Sequence, residues 1–412
     1  MRRRAFLLGG GAAAAGVTVG VGAAELGAAD IASKDSVAAT ASRVPYTGPH
    51  QPAISATPVA RLASLAAFDV VAPDRSSLAG LMTDLSRTVS DLMAGRLPPP
   101  RDASYPPLET GVLGTRIRPD HLGIVVSVGA GLFDDRFGLA DRRPSGLQLM
   151  PILANDELDS TRTHGDLLVS IEADHEDQIQ HALRQIMRAT RSGLVLKWTT
   201  QGYARGVGAV ETETPRNLMG FKDGTANLDL TDDALMDRHV WVGPDDGEPQ
   251  WAVGGSYVAV RVIRMFVEFW DRTRLDEQEK LIGRHKVSGA PLGAAREFAP
   301  VSFAADPAGE VTPLDSHIRL ANPRTAETQD DLMLRRGFSY SRGVDRAGLL
   351  DQGLAFVSYQ RDMDRFLRVQ ARLAGEPLEE YTRPEGGGFF FALPGVADAS
   401  VSLADRMLAD VS

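Results

Sequence analysis

Residues 166–200 read DLLVSIEADHEDQIQHALRQIMRATRSGLVLKWTT, and this stretch decides the fold. It predicts a strand over 166–173, a helix over 175–190 and a second strand over 193–200, in immediate succession. Upstream, residues 61–71 predict a strand. Residues 76–93 predict a helix through the spacing of Leu78, Leu81, Leu85, Val89 and Leu92. An apolar strand over 122–128 then completes a split strand-helix-strand pattern.

The second half repeats the same grammar. Residues 256–264 predict a strand, and 265–285 a helix with Phe266, Phe269 and Trp270 on one face. Residues 354–359 predict a strand, 362–373 a helix through Phe366, Val369 and Leu373, and 388–393 a Phe-rich strand after a glycine run. The element order therefore points to an α+β chain of two tandem ferredoxin-like domains, antiparallel sheets with helices packed on them, over residues 59–225 and 226–412. Residues 31–58, rich in Ala, Ser, Thr and Pro without periodicity, read as a flexible linker.

The chain has 412 residues, 43% of them hydrophobic, enough for two cores of ordinary size. Asp and Glu outnumber Lys and Arg by 54 to 44, and without a basic stripe nucleic acid is excluded as an expected partner. Cysteine is absent, which removes disulfides, thiolate catalysis, cysteine-ligated zinc and cysteine-held iron–sulfur clusters. Metal chemistry would then fall to His, to carboxylates or to a prosthetic group.

The segment Arg2-Arg3-Arg4-Ala5-Phe6-Leu7, followed by a Gly- and Ala-rich apolar stretch, reads as a twin-arginine export leader over residues 1–30. That route carries folded proteins and suits a chain that acquires its cofactor before export. A periplasmic or extracellular location is expected, with no stable membrane span after leader removal.

Of eight histidines, His317 stands out, within Asp315-Ser316-His317-Ile318-Arg319 and beside a segment dense in Arg and Asn. His175 and His181, six residues apart on one helix, point to different faces, and His50 falls in the linker. A second feature is the loop over 220–227, GFKDGTAN. A third is Arg335-Arg336-Gly337, and a fourth the Phe-rich strand.

Together these stretches resemble the dye-decolorizing peroxidases, in their twin-arginine-exported branch. The resemblance covers nearly all of residues 123–396. It rests on five ordered stretches: LFDDRFGL over 132–139, GFKDGTAN over 220–227, DSHIRLANPR over 315–324, LRRGFSY over 334–340 and GGGFFFALP over 386–394.

The resemblance implies haem b, held mainly by the C-terminal domain, with hydrogen peroxide and organic reductants such as dyes and phenols as reactants. His317 is the implied iron ligand. Its second ring nitrogen needs a carboxylate partner, for which Glu380 is nominated and Glu379 competes. Asp223 is the implied acid–base group. A carboxyl of ordinary pKa near 3.9 stays ionised in acid, so an acidic optimum is expected. Arg335 would stabilise developing negative charge, with Arg336 as the alternative if the register shifts by one.

Asn227 is expected to orient peroxide, Phe391 and Leu393 to wall the open face, and Arg319 and Arg324 to neutralise the haem propionates. Gly337 stands where some relatives carry Asn, which puts any activity depending on that amide in doubt. Trp198, Trp241, Trp251, Trp270 and Tyr340 are unranked candidates for electron relay. An alternative reading is a haem-handling protein that releases iron, with iron-uptake components as partners. Monomer and dimer both stay open.

Overall fold

The structure, a computed structural model, describes residues 43–114, 117, 120–204 and 214–409. The expected leader and residues 31–42 lie outside that set.

In the N-terminal half, β1 (Leu62–Val70) leads into α1 (Arg75–Met93). Asp74 caps this helix by accepting from the Ser77 amide, so one orphan N–H is satisfied at the start. The predicted leucine stripe is buried, with Leu78, Leu85 and Val89 fully inside. β2 (Gly123–Gly129), β3 (Leu167–Ala173), α2 (Glu176–Ala189) and β4 (Leu194–Tyr203) follow, giving the antiparallel order β4-β1-β3-β2.

In the C-terminal half, α3 (Asp233–His239) precedes β5 (Ser256–Met265), α4 (Val267–Trp270), α5 (Leu275–Ile282) and α6 (His317–Ala321). β6 (Leu334–Arg335), β7 (Phe338–Val344), β8 (Leu350–Gln360), α7 (Met363–Leu373) and β9 (Thr382–Ala392) complete it. Strand order here is β9-β5-β8-β7, the same arrangement as in the first half. Each half thus carries the β-α-β-β-α-β order expected of a ferredoxin-like unit.

The two sheets meet along two seams. β2 pairs with β9 through Ser127, Val128 and Gly129 against Ala392, Phe391 and Phe390, and β4 pairs with β7 at Tyr203 and Ser339. With β5 also paired to β8, the ladder closes on itself. Gly129 is required at its seam, since a Cβ there would stand 2.0 Å from the Gly165 carbonyl oxygen.

Three sequence expectations change. The helix expected over 265–285 is two short helices, because β5 runs on to Met265 and the chain turns after Trp270. Buried Gln278 donates to the Trp270 and Thr273 carbonyls and so takes over acceptors that the break sets free. β7 was not expected because only its first three residues are buried, which erases the alternating signal.

The linker reading fails from residue 43 onward. Gln51 is buried, donating to the Val126 and Leu393 carbonyls and accepting from the Val126 amide, and His50 stacks on Trp241 at 4.0 Å. A segment without periodicity is therefore fastened over the seam by side-chain hydrogen bonds.

Candidate active site

His317 is the first residue of α6, and two contacts hold that single turn in place. Ser316, fully buried, donates its hydroxyl to the Pro313 carbonyl. Arg372 of α7 donates to the Leu320 and Ala321 carbonyls at the C-terminal end of α6 and forms an ion pair with Asp331. A helix of five residues has no stability of its own, so these anchors set the direction of its first side chain.

The His317 Nδ1 lies 2.8 and 3.1 Å from the two carboxylate oxygens of Glu376. A carboxylate only accepts, so Nδ1 carries the proton and Nε2 is left unprotonated in the neutral ring. Burial pulls the pKa of His317 down, but the charge and hydrogen bond of Glu376 outweigh it, and the net direction is upward. Glu376 is only 9% exposed.

His317 opens into a cavity of about 350 Å³. Phe221, Met265, Leu354, Phe356, Phe366 and Val369 supply apolar wall. Asp223 and Arg335 line the same space, with the Arg335 guanidinium 3.4 Å from the Asp223 carboxylate. Asp223 is placed by its backbone amide, which donates to the Pro215 carbonyl, and by Asn217, whose amide reaches its second oxygen at 3.5 Å.

Asn227 locks Arg335 in place. Its Oδ1 accepts from the Arg335 amide and its Nδ2 donates to the Arg335 carbonyl, both at 2.9 Å. Arg336, next in the chain, points away and pairs with Glu172 of β3, fully withdrawn from solvent. Successive side chains on an extended segment face opposite ways, so only one of the two arginines reaches the cavity.

The Dyp-type peroxidase profiles match residues 51–204 for the N-terminal domain and 214–397 for the C-terminal domain. The chain belongs to the Dyp-type peroxidases. It is 48% identical to the deferrochelatase of Yersinia pseudotuberculosis serotype I over 413 aligned positions, 98% of this chain and 94% of that protein. It is 50% identical to the deferrochelatase of Escherichia coli strain UTI89 over 88% of this chain and 87% of that one.

Among solved structures, DtpA from Streptomyces lividans is 36% identical with a TM-score of 0.80, covering 89% of this chain and 98% of that one. The DyP-type peroxidase of Cellulomonas bogoriensis is 32% identical with a TM-score of 0.79, covering 89% and 98%. This Dyp-type peroxidase is therefore a haem enzyme with haem b as its cofactor.

The residues on hand fit that group. An unprotonated imidazole nitrogen faces a cavity with apolar walls, and the guanidiniums of Arg324 and Arg284 line it as well. Haem is an apolar plate with an iron centre and two carboxylates, and these three features answer to it. Arg284 escaped sequence reasoning. It is buried, and burial together with the charges of Arg324 and Arg335 lowers its pKa.

Several nominated residues do other work in this Dyp-type peroxidase. Glu380 is exposed, and Glu379 accepts from the Gly375 amide, so Glu376 replaces both as the partner of His317. The missed signal is the run Leu373-Ala374-Gly375-Glu376-Pro377. Gly375, at φ +81, stops α7, and Pro377 keeps Glu376 extended at the point where the chain turns back.

Asn227 uses both ends of its amide on the Arg335 backbone and does not line the cavity. Arg319 donates to the Thr312 and Asp306 carbonyls and lies over Phe303, so it braces a loop and is not a propionate partner here. Phe391 packs edge-on against Trp251 and Tyr257, and the Leu393 amide bonds to Val126. Both are buried seam residues and not cavity wall. Of the tryptophans, Trp270 stands one ring behind the cavity, 6.1 Å from Phe221.

Proposed function

We propose that the chain reduces hydrogen peroxide and oxidises organic reductants, with Asp223 as proton carrier, Arg335 as charge stabiliser and His317 as iron ligand. The carrying observation is the Asp223–Arg335 pair, 3.4 Å apart, in the cavity that the free Nε2 of His317 enters. Haem b supplies the redox iron at which peroxide is reduced. The carboxylate of Asp223 takes a proton from one peroxide oxygen and returns it to the other, which departs as water. The fixed charge of Arg335 offsets the negative charge that gathers as the oxygen–oxygen bond lengthens.

Glu376 holds His317 with Nε2 toward the cavity and makes the ring more electron-donating. Apolar walls exclude bulk water, and Arg324 and Arg284, which line the cavity, would hold the carboxylates of the haem. Asp223→Ala tests this reading. Haem content should stay normal while the reaction with peroxide slows by roughly 10²- to 10⁴-fold in stopped-flow mixing. An unchanged rate removes Asp223 from the mechanism.

A second reading, iron release from haem in an iron-uptake system, rests on the relatives named deferrochelatase. Incubation of the protein with haem and a reductant separates the two readings, because iron release leaves fluorescent metal-free porphyrin and peroxide turnover does not. Export by the twin-arginine route to the periplasm or beyond is supported by Arg2-Arg3-Arg4-Ala5-Phe6-Leu7. Replacement of Arg3 and Arg4 by Lys should retain the protein in the cytoplasm, and normal secretion of that variant refutes the route.

A further inference from the structure

The loop that carries Asp223 is gripped by one carboxylate that the proposed mechanism does not use. Glu297, with a side chain only 11% exposed, accepts from the hydroxyls of Thr214 and Thr225 and pairs with the ammonium of Lys222. Lys222 and Thr225 flank Asp223-Gly224, and Thr214 lies at the start of the same segment. Three donors on one loop thus converge on one acceptor from a distant part of the chain.

The segment that carries Glu297 also reaches the cavity. The carbonyls of Glu297 and Gly289 accept from Arg284, which lines it. Arg216 fastens the other side, donating to the Gly220, Lys286 and Val287 carbonyls. Residues 284–297 therefore form a bracket that holds both the Asp223 loop and a cavity guanidinium.

We propose that Glu297 is a positioning residue for Asp223: its carboxylate, shared by Thr214, Lys222 and Thr225, fixes the loop that carries Asp223. The inference rests on Asp223 being the proton carrier. Loss of the contacts to Glu297 frees the loop.

Three holoenzyme variants, Glu297→Gln, Glu297→Asp and Thr225→Val, test the proposal, each checked for unchanged haem content. Glu297→Gln and Thr225→Val should slow the peroxide reaction, and Glu297→Asp should recover part of the lost rate. An unchanged rate in Glu297→Gln, or no recovery in Glu297→Asp, overturns the positioning role.

Hydrogen exchange across residues 214–227 reads the loop directly and does not depend on activity. Glu297→Gln should speed exchange there by roughly tenfold, the equivalent of one charge-assisted hydrogen bond. Unchanged exchange overturns the positioning role. If Asp223→Ala leaves the peroxide rate intact while Glu297→Gln frees the loop, the proton-carrier reading fails and the clamp stands. If Asp223→Ala slows the rate and Glu297→Gln changes neither exchange nor rate, the clamp fails alone.

Discussion

His317 and Glu376 are 59 residues apart in the chain and 2.8 Å apart in the fold. The contact joins the start of α6 to the turn beyond α7, and it determines which imidazole nitrogen faces the cavity. Removal of the carboxylate should lower haem affinity or peroxide reactivity by roughly 10- to 100-fold, as loss of a partner behind a metal-binding histidine commonly does. Glu376→Ala should show this in haem titration and stopped-flow mixing, while Glu380→Ala should match the parent protein. Equal effects from the two variants refute the assignment of Glu376.

Arg335 and Arg336 divide two tasks between adjacent positions. Arg336 is buried against Glu172 and ties the C-terminal half to β3 of the N-terminal half. Removal of one partner from such a pair leaves an uncompensated charge, at a cost of about 3–5 kcal/mol. Arg336→Met should therefore lower the denaturant midpoint strongly, with near-normal peroxide kinetics in protein that remains folded. Arg335→Leu should do the reverse. An exchange of these outcomes means the register is shifted by one.

Asn227 acts through Arg335 and not on peroxide. Asn227→Ala removes both bonds to the Arg335 backbone and should slow the peroxide reaction by roughly tenfold, the equivalent of one or two neutral hydrogen bonds. The rate should fall without a change in the Michaelis constant for the organic reductant. A larger loss than Arg335→Leu itself produces would mean that the amide touches substrate.

His239 gives the fold an acid limit. It is buried, and burial followed by the charges of Arg365 and Arg238 lowers its pKa to about 4. Its Nδ1 lies 3.0 Å from the Arg365 guanidinium and accepts from it, which requires the neutral ring. A histidine with a lowered folded pKa contributes stability that is present above the unfolded value of 6.5 and lost as pH falls toward 4. Melting temperature should decline across that window. His239→Gln should flatten the decline, and an unchanged slope assigns the acid sensitivity to other groups.

Much of the architecture was legible in order of elements. Leu78, Leu81 and Leu85 mark the buried face of α1, and residues 166–200 carry strand, helix and strand close to where they form. These signals are local, because apolar spacing reports burial of one face and needs no knowledge of what covers it. The segments around His317, Asp223 and Arg335 were legible as chemistry for a similar reason, since each motif lies within a few residues. Periodicity failed at 265–285, where a side chain eight residues away, Gln278, makes a break in the helix tolerable.

By itself, then, the sequence determined the repeated α+β grammar, the family text and the three residues proposed for the chemistry. Tertiary structure decided which acid supports His317, which arginine enters the cavity, what Asn227 and Arg319 bind, and that Phe391 and Leu393 belong to a seam between sheets. Those outcomes depend on pairs of groups tens to hundreds of residues apart, such as Glu376 with His317 or Glu297 with Thr214. Local propensity carries no information about them, because a hydrogen bond is set by distance and direction in space and not by separation along the chain.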